Sequence, residues 1–391
     1  MMLILKLALR NILGAGLRTW LNVVVLSIAY VAIIWTQGFN IGMYGQIKRA
    51  QIETEYCGGQ YWHQDYDPYD FLTIQDAHGP LAPQLDVLIK EKKATPILIT
   101  QGSIYPDGRI RTILLKGIDP DQELLTIPSS SLKDGNHMIP ALIGSRMAKS
   151  TGLKIGDYVT LRWRDKNGTF DAKDVEIVQV MKTPVQNVDN NQIWIPLQIM
   201  RQIADMEGEA TLVVIDRNFK DPETVTGWPF HSQHDLLTDI REMMDARVIS
   251  RSILYVILLF LAMLAIFNTQ ILSLYRRRKE MGTLMALGLT RTGLILLFTV
   301  EGAMHGILAA VVAAVYGIPL LTYFAVNGWP LPESMDQYGI AIGDKLFPVY
   351  SAALILGTTA VIFVIKTIVS YLPTRRIAKL KPTDALRGKI A

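Results

Sequence analysis

Cysteine is almost missing from this sequence: Cys57 stands alone among 391 residues. A single thiol makes no disulfide within the chain and no Cys-based zinc site. Cys57, followed by Gly58 and Gly59, reads as an ordinary small residue. Charge is scarce as well. Asp, Glu, Lys and Arg supply 19% of the chain, against roughly 25% in a soluble domain. Hydrophobic residues reach 50%, so a good part of the chain belongs in lipid. No G-x-x-x-x-G-K-S/T phosphate loop occurs, which excludes nucleotide binding in the Walker manner, and neither H-E-x-x-H nor G-x-S-x-G is present. The six histidines are scattered, and the acidic pairs Asp65/Asp67 and Asp119/Asp121 fall in turn-like segments. No catalytic residue, metal ligand, bound cofactor or nucleic-acid partner is expected of this chain.

What is present is four apolar runs of the roughly 20 residues that a membrane-spanning helix needs, at 19–38, 251–275, 292–326 and 347–371. Charge orients them. Lys6, Arg10 and Arg18 precede the first run; Arg276, Arg277, Arg278, Lys279 and Arg291 lie between the second and third, against Glu280; Arg375, Arg376, Lys379, Lys381, Arg387 and Lys389 follow the fourth, against Asp384. The short 327–346 loop carries Glu333, Asp336 and Asp344 against Lys345, and Phe39 to Arg247 holds 22 Lys/Arg against 29 Asp/Glu. By the positive-inside rule both termini and the 276–291 loop are cytoplasmic, and the other two loops lie outside. No small-x-small site follows Trp35, so the first run is expected to stay as a span and not to be cleaved as a signal peptide.

The expected fold class is therefore membrane α-helical, four transmembrane helices with a large α+β extracytoplasmic domain (39–250) inserted between helices 1 and 2. Ile41 to Thr54 and His234 to Ser250 read as helices that prolong the flanking spans into a stalk. Between them strands are expected at Pro96–Ile104, Ile110–Gly117, Tyr158–Trp163, Val175–Met181 and Thr211–Ile215, with short helices at Ser145–Gly152 and Leu197–Met206. Tyr61, Trp62, Tyr66 and Tyr69, interleaved with Asp65, Asp67 and Asp70, read as a solvated loop packing its own rings, with ligand binding as the alternative. Within the third span Glu301 and His305 sit one helical turn apart. An ionisable group in a span is costly; a structural role is expected, with Glu301 paired to His305 or to a partner subunit, and a proton or substrate pathway is the alternative.

Three blocks resemble the permease subunits of the FtsX/MacB/LolCDE superfamily of ABC transporters. Ala8, Arg10, Asn11, Arg18 and Thr19 match the family's cytoplasmic elbow helix, here 1–18. Lys279, Glu280, Gly282, Ala286, Gly288, Glu301 and Gly302 match the block that leaves span two and enters span three. Pro373, Arg375, Arg376, Ala378, Pro382, Ala385, Leu386 and Arg387 match the family ending within the 372–391 tail, with Ile377 where alanine is commoner. Lys116-Gly117-Ile118-Asp119-Pro120 and the Ile143 to Asp157 stretch also resemble the lipoprotein-releasing, LolC/LolE-like branch.

The resemblance implies a non-catalytic transmembrane subunit of the bacterial inner membrane. ATP and Mg would sit on a separate ABC ATPase, and a second permease, a like copy or a paralogue, would complete the dimer. It makes 276–291 the loop of a coupling helix, with Glu280, Met281, Gly282, Met285, Ala286, Leu287 and Gly288 as the residues that engage the ATPase. Small residues at Gly282, Ala286 and Gly288 would allow close approach, and Met281, Leu284, Met285 and Leu287 would form an apolar patch left bare without a partner. The leading expectation is extraction of lipoproteins or lipophilic cargo from the outer leaflet. Efflux of macrolides or peptides, and regulation of an extracytoplasmic partner, are the alternatives.

Overall fold

The computed structural model describes residues 17–70, 72–133, 138–219, 222–242, 245–246, 274–331 and 345–377, with scattered positions between 252 and 272. The chain divides into two compact units. One, mostly helical, comprises Met1–Met43, Met244–Pro330 and Leu346–Ala391; the other, rich in strands, comprises Tyr44–Met243 and Leu331–Lys345. The elbow helix expected at 1–18 lies outside the described residues save its last two positions, as do most of the span at 251–275 and residues 332–344 of the second loop.

Helix α1 (Leu17–Gln51) continues past the expected end of the first span, as the Ile41–Thr54 reading anticipated. A π-turn over Ile52–Tyr56 ends it, where the Cys57 N–H reaches the Ile52 carbonyl at 2.7 Å. Cys57 is buried, and burial pushes its thiol up from the ordinary value.

The strand-rich unit is built on β1 (Gly59–Trp62), β2 (Gly79–Pro80), β3 (Ala94–Ile104), β4 (Arg111–Ile118), β5 (Ile139–Gly144), β6 (Tyr158–Arg164), β7 (Phe170–Met181), β8 (Gln192–Pro196), β9 (Glu209–Ala210), β10 (Leu212–Ile215) and β11 (Phe230–Ser232). Among the described residues nine of these form one sheet in the order β11-β1-β10-β3-β4-β8-β5-β7-β6, and β6 pairs back onto β3. That last pairing closes β3-β4-β8-β5-β7-β6 into a barrel, which removes the free edges of those strands. Strand β3 joins the barrel to the rest of the sheet: its residues 94–97 pair with β10, and its later residues pair with β4 and β6.

Alternation explains the packing. Along β6 Val159, Leu161 and Trp163 point inward and the residues between them outward. Strand β8 is buried on both faces: Ile193 and Ile195 enter the barrel core, and Trp194 enters a second core on the other side with Ile97, Ile99, Leu142 and Leu212. The short helices are α2 (Pro83–Lys90), α3 (Ser145–Thr151), α4 (Gln186–Asn191), α5 (Leu197–Ala204) and α6 (Gln233–Leu236). Buried Asp189 caps α3, taking the N–H groups of Ser145 at 2.7 Å and Arg146 at 3.1 Å, which gives the Ile143-Gly144-Ser145 motif a structural purpose. Ser232 caps α6 in a reciprocal capping box with Asp235. Residues 238–242 are helical after a turn at Leu237, and the end of the expected His234–Ser250 helix lies outside the described residues.

In the helical unit α7 (Arg278–Ala286), α8 (Arg291–Asn327) and α9 (Ala352–Ile377) follow. Among the described residues three helices are long and apolar enough to cross a membrane: α1, α8 and α9. Thr290 caps α8, its Oγ1 accepting the Gly293 N–H at 3.2 Å. The fourth expected span begins later than position 347, because Pro348 offers no N–H and Ser351 caps the helix by accepting the Leu354 N–H at 3.1 Å. It also runs on through Pro373 into the expected tail. Val23, Tyr30 and Ile34 of α1 pack on Ala309, Ala313 and Leu321 of α8 and Ile362 of α9. Close approach depends on Gly317, where a Cβ would stand 2.7 Å from Val31 Cγ2. Only 22% of the apolar window of α8, and of α9, is buried inside the protein. Val315, Ile318, Leu356 and Val361 face outward. Apolar surface on that scale needs lipid to cover it.

Candidate functional site

The connection from α7 into α8 concentrates polar chemistry in a small space. Arg277, just before α7, holds Glu280 through two bonds, Nε to Oε2 at 2.6 Å and Nη2 to Oε1 at 2.7 Å. Its third nitrogen, Nη1, donates to Glu301 Oε1 at 2.5 Å, and the guanidinium carbon stands 4.9 Å from the Phe298 ring centroid. A planar guanidinium can serve two carboxylates and a ring face together, which a lysine cannot. The bonds to Glu280, reinforced by the charge of Glu301, raise Arg277 above its ordinary value. Arg277 in turn holds the Glu280 carboxyl below the usual range.

Glu301 therefore finds its partner within the chain, and it is not His305. The His305 Nδ1 donates to the Glu301 backbone carbonyl at 2.7 Å, leaving the carboxylate to Arg277. Side chains on a helix lean toward its N-terminus, so Glu301 points back toward the start of α8 and the loop carrying Arg277. The available signal was an arginine in the basic run and an acid placed early in the next apolar run.

Helix α7 is seated by the same loop. Leu274, Met281, Leu294 and Phe298 form a small core, with Leu284, Met285, Leu289 and Ile295 packed against it. The apolar patch expected to be bare is thus largely covered: Met281 is 2% exposed and Leu284 and Met285 are half-buried, because α7 folds back on α8. Gly282 is buried too. Ala286, Leu287 and Gly288 remain outside, Leu287 at 80% exposure. Gly288 ends the helix at φ +95°. Its N–H reaches the Met285 carbonyl at 3.1 Å and that of Leu289 reaches Leu284 at 3.0 Å. This is a Schellman closure with the Leu284–Leu289 contact that accompanies it. Arg276, Lys279 and Glu280 are exposed at the opposite end, around the start of α7. Arg375 is exposed near the end of α9, Arg376 follows it on the same helix, and Arg387 lies outside the described residues.

A second feature belongs to the strand-rich unit, a cleft of about 880 Å³. At its wall Glu55 Oε1 accepts from Lys116 Nζ at 3.1 Å and from Gln192 Nε2 at 3.2 Å. Lys116 also stands 4.9 Å from the Trp194 ring centroid. Gln51 Oε1, Gln192 Oε1 and Trp194 Nε1 are buried without a hydrogen-bond partner, each such group costing about 1–3 kcal/mol. The aromatic cluster divides. Tyr61 joins the core and donates to the Glu223 carbonyl at 2.8 Å, whereas Trp62, Tyr66 and Tyr69 line the cleft. Trp62 stacks on His231 at 3.9 Å and meets the Tyr66 ring edge-on. Asp67 and Asp70 close local turns by accepting the N–H groups of Tyr69 and Leu72, both at 2.9 Å. Burial, with the Glu55 charge adding, raises the Tyr56 and Tyr66 hydroxyls. Among the described residues no group of three or more His, Cys, Asp or Glu is placed to hold a metal ion.

Residues 252–382, which carry the Arg277 node and helices α7 to α9, match the FtsX-like permease C-terminal family. That part of the chain is an FtsX-like permease domain. The chain is 23% identical over 339 residues to the lipoprotein-releasing system transmembrane protein LolC of Neisseria meningitidis serogroup B, covering 75% of this chain and 77% of that protein. It is 25% identical over 218 residues to the macrolide export ATP-binding/permease protein MacB of Psychrobacter cryohalolentis, covering 51% of this chain and 30% of that protein. Among solved structures it is similar to the extracellular domain of the noncanonic ABC-type transporter YknZ from Gram-positive bacteria, at TM-score 0.28 and 14% identity, over 42% of this chain and 84% of that one.

Proposed function

We propose that this permease couples ATP hydrolysis on a separate ATPase subunit to movement of its strand-rich unit, and that it extracts or exports lipoproteins or other lipophilic cargo. The observation that carries the reading is the seating of α7. Its inner face is locked by Met281, Gly282 and the Arg277–Glu280–Glu301 node, and its outer end offers Ala286, Leu287 and Gly288. An exposed leucine at the end of a helix that cannot slide freely suits docking on a partner. A push on α7 then passes through Arg277 to Glu301 and so to α8.

In this reading four spans cross the inner membrane, the termini and the α7 loop are cytoplasmic, and the strand-rich unit is periplasmic. The charge asymmetry of the loops supports that orientation. ATP and Mg bind the partner ATPase, and a second permease, identical or paralogous, completes the assembly. Lipoprotein as cargo is supported by the similarity to LolC over three quarters of the chain. The partial match to MacB supports efflux through the same machine as the second reading.

Affinity purification of the tagged full chain from native membranes, followed by mass spectrometry, tests the proposal. An ATPase with acylated lipoproteins is expected, and Leu287→Asp should lose the ATPase while remaining in the membrane. An ATPase with a periplasmic adaptor favours efflux, and no ATPase at all refutes the coupling.

A further inference from the structure

We infer that the cleft of the strand-rich unit is a binding site for an extended peptide segment, through which the transporter holds the polypeptide part of its cargo. The inference deepens the cargo reading above and rests on it. The cleft volume of about 880 Å³ lies within the range of roughly 300–1,000 Å³ usual for ligand sites. Its polar lining includes six amides: Gln51, Gln60, Gln101, Asn187, Asn191 and Gln192. Neutral amides offer donors and acceptors side by side, the pattern presented by a peptide backbone with its alternating N–H and C=O groups.

The charges in the wall narrow the class. Lys116 is bound to Glu55 at 3.1 Å, so it is not left as a bare cation to receive a phosphate, and Asp235 and Asp239 add negative charge to the same lining. The groups without partners in the same wall are of both kinds, the acceptors Gln51 Oε1 and Gln192 Oε1 and the donor Trp194 Nε1. Trp194 and Gln192 are almost wholly buried, at 0% and 3% exposure. A ligand that both donates and accepts satisfies them. An acyl chain does neither, and would leave Gln51 Oε1, Gln192 Oε1 and Trp194 Nε1 without compensation. Trp62, Tyr66 and Tyr69 with Leu236 and Ile240 supply the apolar surface on which alternate side chains of an extended peptide can rest.

The full chain in lipid nanodiscs is titrated into a fluorescein-labelled, end-blocked heptapeptide of alternating leucine and serine, and anisotropy is followed. Saturable binding is expected, weakened at least tenfold by Gln192→Ala and by Tyr69→Ala. Tyr69 is 74% exposed, so its replacement leaves the fold in place should the buried change disturb it. Unlabelled peptide should compete and decanoate should not. Absence of saturation, equal binding by both variants, or displacement by decanoate alone overturns the peptide site. Retention of a co-purifying ATPase is read on the same preparations. An ATPase present with no peptide binding sinks the cleft inference and leaves the coupling proposal intact. Peptide binding with no ATPase does the reverse.

Discussion

In the strand-rich unit a buried residue is buried because protein covers it from both sides, whereas in the helical unit most apolar surface is left for another solvent. Trp194 and Ile193 are neighbours on β8, yet they enter two different cores, and the exposure of both is 0%. On α8, Ala309 and Ala313 are buried against α1 while Ile307, Val311 and Val315 on the same helix stay outside. Large side chains fill the β cores, whereas α8 brings the small residues Ala309, Ala313 and Gly317 to its contact with α1. The reason is the medium. Water drives large apolar groups together, but lipid tails do not, so helices in lipid associate through close backbone approach and buried polar pairs. The Arg277–Glu301 pair is one such polar pair, set where the helical unit meets its connecting loop.

That difference can be broken from either side. The largest effect is expected from Trp194→Ala, which empties the second core; the loss should be about 3–5 kcal/mol, confined to the strand-rich unit. Limited proteolysis and thermal melting would detect it, and melting of the helical unit at the same temperature would contradict the division. Next comes Arg277→Ala. Glu301, at 13% side-chain exposure, is left without its cation, at a cost of roughly 2–4 kcal/mol. Glu301→Gln in the same chain should recover a good part of it, which a double-mutant cycle of detergent melts measures. Gly317→Val places a Cβ against Val31 and should cost about 1–3 kcal/mol by overpacking, with α1–α8 cross-linking as the readout. Gly288→Ala forces a side chain into φ +95°, costing about 1–2 kcal/mol and loosening α7 without touching the strand-rich unit.

The smallest expected effect is one of acid. Burial opposes ionisation of Glu209, but the bonds from Lys166 and His78 outweigh it and leave its carboxyl below the ordinary 4.5. A depressed folded value means the stabilisation is full above pH 4.5 and fades as pH falls through the lower, folded value. Glu209→Gln should flatten that acid limb in thermal melts of the strand-rich unit. An unchanged limb would assign it to other carboxylates.

The parts legible from the chain were those carried by local pattern. Apolar runs of spanning length and strand-like segments each rest on residues close together in the chain, and β3, β4, β6, β7 and β10 fall close to where period and turn signals put them. Strands β1, β5, β8 and β11 do not announce themselves. Two are short, and β5 and β8 are buried on both faces, so the alternation that marks a half-exposed strand is absent. Likewise the matching residues Glu280 and Glu301 were visible as a motif, while Arg277 as their common partner was not, since nothing local singles out one arginine in a run of three.

The sequence alone therefore determined the membrane class, the loop charge asymmetry and the permease blocks, because composition, hydropathy and short motifs need no knowledge of the fold. Only tertiary structure decided that β6 closes on β3, that Arg277 binds Glu280 and Glu301 together, and that residues from Gln51 to Ile240 line one cleft. Each of those joins groups distant along the chain, and such pairings depend on how the backbone returns through space rather than on which residues stand next to one another.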